Sequence, residues 1–386
     1  MAKNVIAKGK PSQDDLASIL SLHINKQLAK IGSSLYSFDD SVENPSDIKY
    51  WVSTGSTLLD LAIANRPNAG LPFGRIVEIN SLEGAGKSLL CAHIIANTQK
   101  MGGIGIYIDT ENAADRTFLN AVGVDTKAML YTQLDTVEDI FDTIEQMILK
   151  VRESDKDKPL VIIVDSVSAA TTKVESEADY SKDGWSTTKA IILSKAMRKM
   201  TLLIAKQKIL LVLTSQLRQK LGAPVFAEQW TTSGGKAIPF HSSVRIRLKS
   251  VGQIKGTYNN FEQIVGVKTN AKVIKNRIGP PFRHVNFDIH FDSGVQDYIS
   301  WFDFMIDIGM ITKASGKKYQ MVVLETNEPE GEEFTKNKFI EHILTDNEFR
   351  TLIYDKICSA YIMKYKPIDQ VDYDGLETDE LEENLI

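Results

Sequence analysis

The chain is poor in the residues that would place it outside the cell or in a membrane. It has two cysteines, Cys91 and Cys358, and they form no C-x-x-C pair. A disulfide framework and a structural zinc site are therefore not expected, and a reducing compartment is. No apolar run approaches the roughly 18 residues of a membrane-spanning helix, so no membrane partner is expected. The N-terminus, MAKNVIAKGKPSQDD, lacks the apolar centre of a secretion signal, which points to the cytoplasm. No N-K-x-D guanine motif is present, which argues against a GTPase. Internal repeats are missing too. What remains is 43% hydrophobic and 25% charged, the make-up of an ordinary soluble globular protein. Its 386 residues are enough for one large domain and smaller ones.

The net charge of −5 speaks against nucleic acid, but its distribution does not. Eight acids and no Lys or Arg follow Pro367, so residues 1–366 by themselves carry a small positive balance. Between Lys189 and Phe261 there are thirteen Lys or Arg and one acid, Glu228. Such a block is either a nucleic-acid footprint or a solvated basic face.

One stretch organises the rest: RIVEINSLEGAGKSLL, Arg75–Leu90. Ile76, Val77 and Ile79 read as a strand. Gly84 and Gly86 make a turn, and an apolar helix comes after Lys87 and Ser88. Glycines let backbone N–H groups curl round an anion, and the helix N-terminus adds partial positive charge. Residues Ser81, Leu82, Glu83, Gly84, Ala85, Gly86, Lys87, Ser88 and Leu89 are thus expected to hold the phosphates of a nucleotide. Lys87 would reach the β- and γ-phosphates and Ser88 would hold Mg²⁺. Ser81 stands where the motif ordinarily begins with glycine. The alternative is a glycine turn ahead of a core helix.

Further signals lie along the chain. Leu16, Leu20, Ile24, Leu28 and Ile31 recur at helical spacing after a Ser12 cap, with Gly32 as a stop. This helix packs on its own core or docks on a neighbour. A polar stretch separates it from the rest of the chain. Ile104–Ile108 reads as a strand ending in Asp109-Thr110-Glu111. Glu111 is a candidate general base for a water, or a carboxylate at a helix N-terminus. Leu160–Val164 is a fully apolar strand closed by Asp165, the partner acid that helps hold Mg²⁺. Ser168–Lys189 is polar and turn-prone. Ala190–Lys206 reads as a basic helix, and Ile209–Thr214 as a buried strand ending at Ser215-Gln216. The irregular segment from Leu217 to Ala237 mixes Arg218, Lys220 and Lys236 with Phe226 and Trp230. Basic residues among aromatics suit single-stranded nucleic acid; a lid over the nucleotide is the other reading. Short strands are expected at Val244–Leu248, Ala271–Lys275 and Val285–Ile289. From about Trp301 helices and a hairpin-like stretch indicate a small second domain. The acidic tail from Pro367 is expected to be disordered.

Taken together, STGSTLLDLAI, GLPFGRIVEI, the GAGKS loop, YIDTEN, LVIIVDS, TSQLR, TTSGGKAIPF and VIKNRIGPPF, in this order, closely resemble the RecA family of strand-exchange recombinases. The likeness covers roughly residues 50–325 and is nearest to the recombinases of T-even-type bacteriophages. It implies an α/β fold: a RecA-type P-loop ATPase core with a mainly parallel twisted sheet flanked by helices, an N-terminal helix and a small C-terminal α+β domain. The implied division is 1–48 for the helix and linker, 49–300 for the core, 301–366 for the small domain and 367–386 for the tail.

Residue by residue, the resemblance implies catalysis by Glu111 and Lys87, with Gln216 as a γ-phosphate sensor. Lys275 and Arg277, expected on one face of a strand by their alternate spacing, would reach the ATP of an adjacent subunit. Adenine would contact Asp115 and Phe118, where Phe118 replaces a more usual tyrosine. Mg²⁺ would sit on Ser88 and Asp165. Ser168–Lys189 would contain a first DNA loop and Leu217–Gly234 a second, with Phe226 as its aromatic; Arg218, Lys220 and Lys236 would add DNA contacts. Implied partners are single- and double-stranded DNA, further copies of the chain in a helical filament, a single-strand-binding protein and a mediator. A ring-forming helicase motor and a nucleotide-gated DNA-binding scaffold are the rival readings.

Overall fold

The computed structural model describes residues 13–31, 35, 47–178, 185–220, 229–232, 235–258, 260–324, 326 and 328–365. Two compact units divide the chain at Asp47/Ile48. In the first, α1 (Gln13–Leu28) ends in a 3-10 turn at Ala29–Ile31. Asn25 closes the exit from this helix. Its Oδ1 accepts from Leu35 N–H and its Nδ2 donates to Leu35 O at 3.1 Å. Ile19, Leu20 and Leu22 on α1 are exposed. Ser12, Gly32, Phe226 and the acidic tail lie outside the described residues.

The second unit opens with β1 (Trp51–Val52), α2 (Thr57–Ala64) and β2 (Leu71–Pro72). Then β3 (Arg75–Ser81), α3 (Lys87–Lys100), β4 (Ile104–Asp109), α4 (Arg116–Ala121), β5 (Leu130–Gln133), α5 (Val137–Ser154) and β6 (Leu160–Asp165) alternate strand with helix. A single turn, α6 (Lys173–Ser176), precedes the long α7 (Trp185–Gln207), β7 (Leu210–Gln219) and β8 (Trp230–Thr232). After α8 (Ala237–His241) come β9 (Val244–Tyr258), β10 (Phe261–Asn276), β11 (His284–His290) and β12 (Gly294–Val295). The chain continues through α9 (Asp297–Asp307), β13 (Ile311–Lys313), β14 (Lys318–Val322), β15 (Pro329–Thr335), α10 (Lys336–Thr345) and α11 (Asn347–Tyr361).

The main sheet runs β12-β11-β10-β9-β3-β7-β6-β4-β5, with β8 paired to β7. From β9 through β5 the ladder is parallel; from β9 to β12 it is antiparallel. This is the expected RecA-type α/β fold. Strand alternation divides the core between two faces. Val77, Ile79, Val161 and Ile163 pack with α2, α3 and α9. Ile76, Ile162, Val164 and Leu211 pack with α5 and α7. Helices cover both faces, so the central strands are apolar almost throughout. The small sheet β13-β14-β15 and helices α10 and α11 share the first core, through Met321, Phe339, Ile343 and Ile353.

Two sequence expectations change. The short strands foreseen at Val244–Leu248 and Ala271–Lys275 are the paired ends of one hairpin with arms of 15 and 16 residues. Its outer part lies beyond the β3 ladder, which ends at Leu248, and carries few buried residues, so no one-sided apolar alternation announces it. Secondly, Ser168–Lys189 is not all turn: α7 already begins at Trp185.

Candidate nucleotide site and nucleic-acid interface

The C-terminal ends of β3, β4, β6 and β7 lie side by side at one edge of the sheet, where ligands of open α/β sheets bind. Each carries part of the candidate site.

At the end of β3, Ser81 is fully buried and accepts a hydrogen bond from Lys87 Nζ at 2.9 Å. Lys87 also reaches Leu82 O at 3.3 Å. The serine in place of glycine therefore supplies an oxygen that orients the loop lysine. Gly84 and Gly86 have φ of 69° and 94°, values that side chains rarely adopt. A Cβ on Gly86 would stand 2.4 Å from Ile289 Cδ1. Gly86 is the N-cap of α3, and no side chain caps that end. First-turn N–H groups free of a side-chain cap, with a lysine and a serine at the same terminus, fit the phosphates of a nucleotide. Ser88 is exposed at this end, while Ala85 and Leu89 are buried beneath it.

At the end of β6, Asp165 is buried and held by two hydroxyls. Tyr107 donates at 2.6 Å and Thr214 at 2.5 Å. Burial, reinforced by Asp165, pushes the Tyr107 phenol well above its usual range. Cys91 lies one turn beyond Lys87 in α3. Its thiol is buried and pushed well up, the inert state expected of a core cysteine. Among the described residues no cluster of three or more His, Cys, Asp or Glu forms a cage. Mg²⁺ is ordinarily held by one or two protein oxygens together with substrate phosphates, and Ser88 with Asp165 fits that donor set.

Glu111 lies just past β4, and its Oε1 accepts from Ser166 Oγ at 2.5 Å. Asp109, two residues earlier, received no role from the sequence, yet it builds the turn that carries Glu111. Its carboxylate accepts from Glu111 N–H at 2.9 Å, and from Ala113 N–H, Ala114 N–H and Tyr131 OH, each at 3.0 Å. An aspartate bonding the backbone two residues on is an Asx turn, the signal in the sequence that could have found it. Asp115 caps α4 by accepting from Phe118 N–H at 2.8 Å, and Phe118 packs at the edge of the first core.

Gln216 near the end of β7 donates to Glu83 Oε1 at 2.7 Å, joining that strand to the phosphate loop. Two residues on, Arg218 is exposed and pairs with Thr231 in the β7–β8 hairpin. Lys220 N–H closes the ladder on Gln229 O at 2.7 Å. Lys236 is exposed at the start of α8. Lys189, counted with the basic block, is instead turned inward and 8% exposed.

Lys275 and Arg277 do not share a strand face. A bulge separates Val273 from Lys275, β10 ends at Asn276, and Asn276 Oδ1 accepts from Ile278 and Gly279 N–H in a turn. Lys275 Nζ donates to Pro239 O at 2.7 Å and Phe240 O at 2.8 Å. Burial, then Arg277 and Arg245, push its pKa down to about 8. Beside it, buried Glu78 pairs with Arg245 across β3 and β9.

Fold and site define an α/β protein with a glycine loop at a helix N-terminus, joined through Gln216 to a basic hairpin. Comparison with known proteins is narrower. The chain belongs to the RecA family: residues 18–296 match the RecA N-terminal domain. It is 38% identical over 263 residues to Protein RecA of Cytophaga hutchinsonii, covering 68% of this chain and 70% of that one. Against Protein RecA of the Wolbachia of Brugia malayi it is 37% identical over 313 residues, covering 81% and 83%. Against that of Bartonella bacilliformis it is 33% identical over 329 residues, covering 85% and 89%.

Proposed function

We propose that this protein is an ATP-dependent DNA recombinase that forms helical filaments on single-stranded DNA and exchanges strands with a homologous duplex. The observation that carries the reading is the Gln216–Glu83 hydrogen bond. It joins the phosphate loop to the strand that continues, through Arg218 and Lys220, into the basic hairpin. Nucleotide state and DNA contact thus act on one rigid strand.

In this mechanism Lys87 neutralises the transferred phosphate, and Ser88 and Asp165 would hold Mg²⁺, which would supply further charge stabilisation there. Glu111 takes the proton of the attacking water. Gln216 reports the γ-phosphate to the hairpin. Asp115 and Phe118 flank the base, Phe118 through its ring face. Arg218, Lys220, Phe226 and Lys236 serve DNA. Lys275 and Arg277 complete the site of the next subunit. Residues 49–300 form the ATPase core, 301–366 a small domain, 1–48 the docking arm and 367–386 an acidic tail.

The motif set resembles that of the UvsX recombinase of T-even-type bacteriophages, so we place the chain in that branch. It then works in the host cytoplasm in recombination, repair and recombination-dependent replication, with a single-strand-binding protein and a mediator. No described helix is long and apolar enough to cross a membrane.

Electron microscopy with single-stranded DNA and a non-hydrolysable ATP analogue tests the reading. Continuous helical filaments are expected. Closed rings would replace it with the helicase motor; DNA-bound protein that forms no joint molecules would replace it with the scaffold.

A further inference from the structure

Polar side chains of the four neighbouring strands β7, β6, β4 and β5 meet on one face of the sheet. Tyr107 and Asp109 lie two residues apart on β4 and so point the same way. Asp109 stands opposite Asp165 of β6, and Tyr107 opposite Tyr131 of β5. The Tyr107 hydroxyl donates to Asp165 Oδ2 at 2.6 Å, and the Tyr131 hydroxyl donates to Asp109 Oδ2 at 3.0 Å. The two rings stack, with centroids 6.5 Å apart and planes 22° from parallel. Gln133 Nε2 donates to Tyr131 OH at 2.9 Å, and Thr214 Oγ1 of β7 donates to Asp165 Oδ1 at 2.5 Å.

Tyr107 is 3% exposed and its ring packs in the first core, with the buried side chains of α3. A phenylalanine would fill that place with no hydroxyl to satisfy, whereas a buried phenol needs a partner. The partner here is the acid of the candidate Mg²⁺ site. An ionised carboxylate offers roughly four lone-pair positions on its two oxygens. Tyr107 and Thr214 take one on each oxygen of Asp165, which fixes the plane of the group and leaves one on each. Donors that orient a metal-holding carboxylate in this way contribute about 10–100-fold to metal affinity or activity. Tyr131 is the matched contrast. Its ring belongs to the same stack and its hydroxyl also meets a carboxylate, but Asp109 otherwise bonds the backbone N–H groups of the Glu111 turn.

We propose that Tyr107 is a positioning residue for Mg²⁺ binding: its hydroxyl sets Asp165 in the orientation in which Asp165 and Ser88 hold the ion beside the nucleotide. Tyr131 serves the other half of the site, through Asp109. The proposal rests on the assignment of Ser88 and Asp165 to Mg²⁺ given above.

Full-length Tyr107→Phe and Tyr131→Phe proteins test it, with binding of a fluorescent ATP analogue measured in EDTA and at rising Mg²⁺. In Tyr107→Phe the Mg²⁺ concentration that gives half the gain in affinity should rise about tenfold, while affinity in EDTA stays within about twofold of wild type. In Tyr131→Phe the Mg²⁺ midpoint should stay within about twofold of wild type. A wild-type midpoint in Tyr107→Phe, an equal shift in Tyr131→Phe, or a loss in EDTA as large as that in Mg²⁺ would each overturn the positioning role alone. Wild-type binding indifferent to Mg²⁺ would overturn the assignment of Ser88 and Asp165, and the proposal with it. Should Tyr107→Phe not fold, 3-fluorotyrosine at position 107 keeps both ring and hydroxyl. Its fluorine resonance must then shift when Mg²⁺ is added to the nucleotide-bound protein, and by more than that of the same label at position 131; an equal or absent shift overturns the proposal.

Discussion

Asp109 shows how much of the candidate site's geometry rests on a residue to which no chemistry is assigned. Its carboxylate gathers three backbone N–H groups and the Tyr131 hydroxyl, and so fixes the backbone from which Glu111 projects. Asp109→Ala should lower kcat by about 10–10²-fold with little change in ATP KM, because a displaced base costs rate more than binding. Steady-state kinetics check this; an unchanged kcat would remove Asp109 from the site. A second carboxylate, partly buried, contributes to the pH dependence of stability. Asp297 accepts from Thr57 N–H at 2.7 Å, Thr57 OH at 2.5 Å and Trp301 Nε1 at 3.1 Å, joining α2 to α9. Burial nevertheless raises its pKa to about 6 from the ordinary value of 3.8. A carboxyl with a raised folded pKa binds its proton more tightly folded than unfolded. Its contribution is fully present below about pH 4 and is lost as the pH rises through about 6, on the order of 3 kcal/mol in all. Asp297→Asn should flatten the dependence of chemical-denaturation stability on pH between about 4 and 6. An unaltered profile would contradict the assignment.

At the scale of elements, the β7–β8 hairpin is where a DNA signal would enter. Arg218 and Lys220 are exposed on it, and phosphate contacts release counterions. Neutralising both, as Arg218→Gln with Lys220→Gln, should reduce the slope of log affinity against log salt by about 0.7 per contact on single strands. Titrations at several salt concentrations measure it, and an unchanged slope would move the DNA path elsewhere. The β9–β10 hairpin teaches a different lesson. Its inner ends are legible as apolar strands because the sheet buries them. Its outer ladder is held by backbone pairing between arms that show solvent-facing side chains on both sides. Only the pairing register reveals it.

For the whole molecule, the question is whether hydrolysis needs a neighbour. In this subunit Lys275 rests on the carbonyls of Pro239 and Phe240 in α8, the helix that comes after the β7–β8 hairpin. Cationic fingers on a neighbour's γ-phosphate contribute about 10³–10⁵-fold in rate. Lys87→Ala should therefore abolish turnover from within a site, and Lys275→Ala with Arg277→Ala should abolish it from across. Mixed, the two inactive proteins should regain part of the DNA-stimulated turnover, since some interfaces then join two intact halves. Mixed filaments that form and stay inactive would show that the site is not shared.

What the sequence by itself determined is the part of the site that is contiguous. The strand, glycine turn and helix around Lys87 carry their own geometry, because positive φ at Gly84 and Gly86 and an uncapped helix end are local properties. The apolar strands ending in Asp109, Asp165 and Gln216 were legible for the same reason: burial on both faces leaves continuous runs of Val, Ile and Leu. What only the tertiary structure decided are the links between those ends. Glu111 meets Ser166 across 55 residues and Gln216 meets Glu83 across 133. Lys189 turns inward although the sequence places it in a basic block, and Lys275 finds carbonyls where no local acid was at hand. These contacts depend on the strand order β10-β9-β3-β7-β6-β4, which brings together chain segments far apart in sequence. A local pattern records which face of a strand is buried; it holds no record of which strand lies beside it.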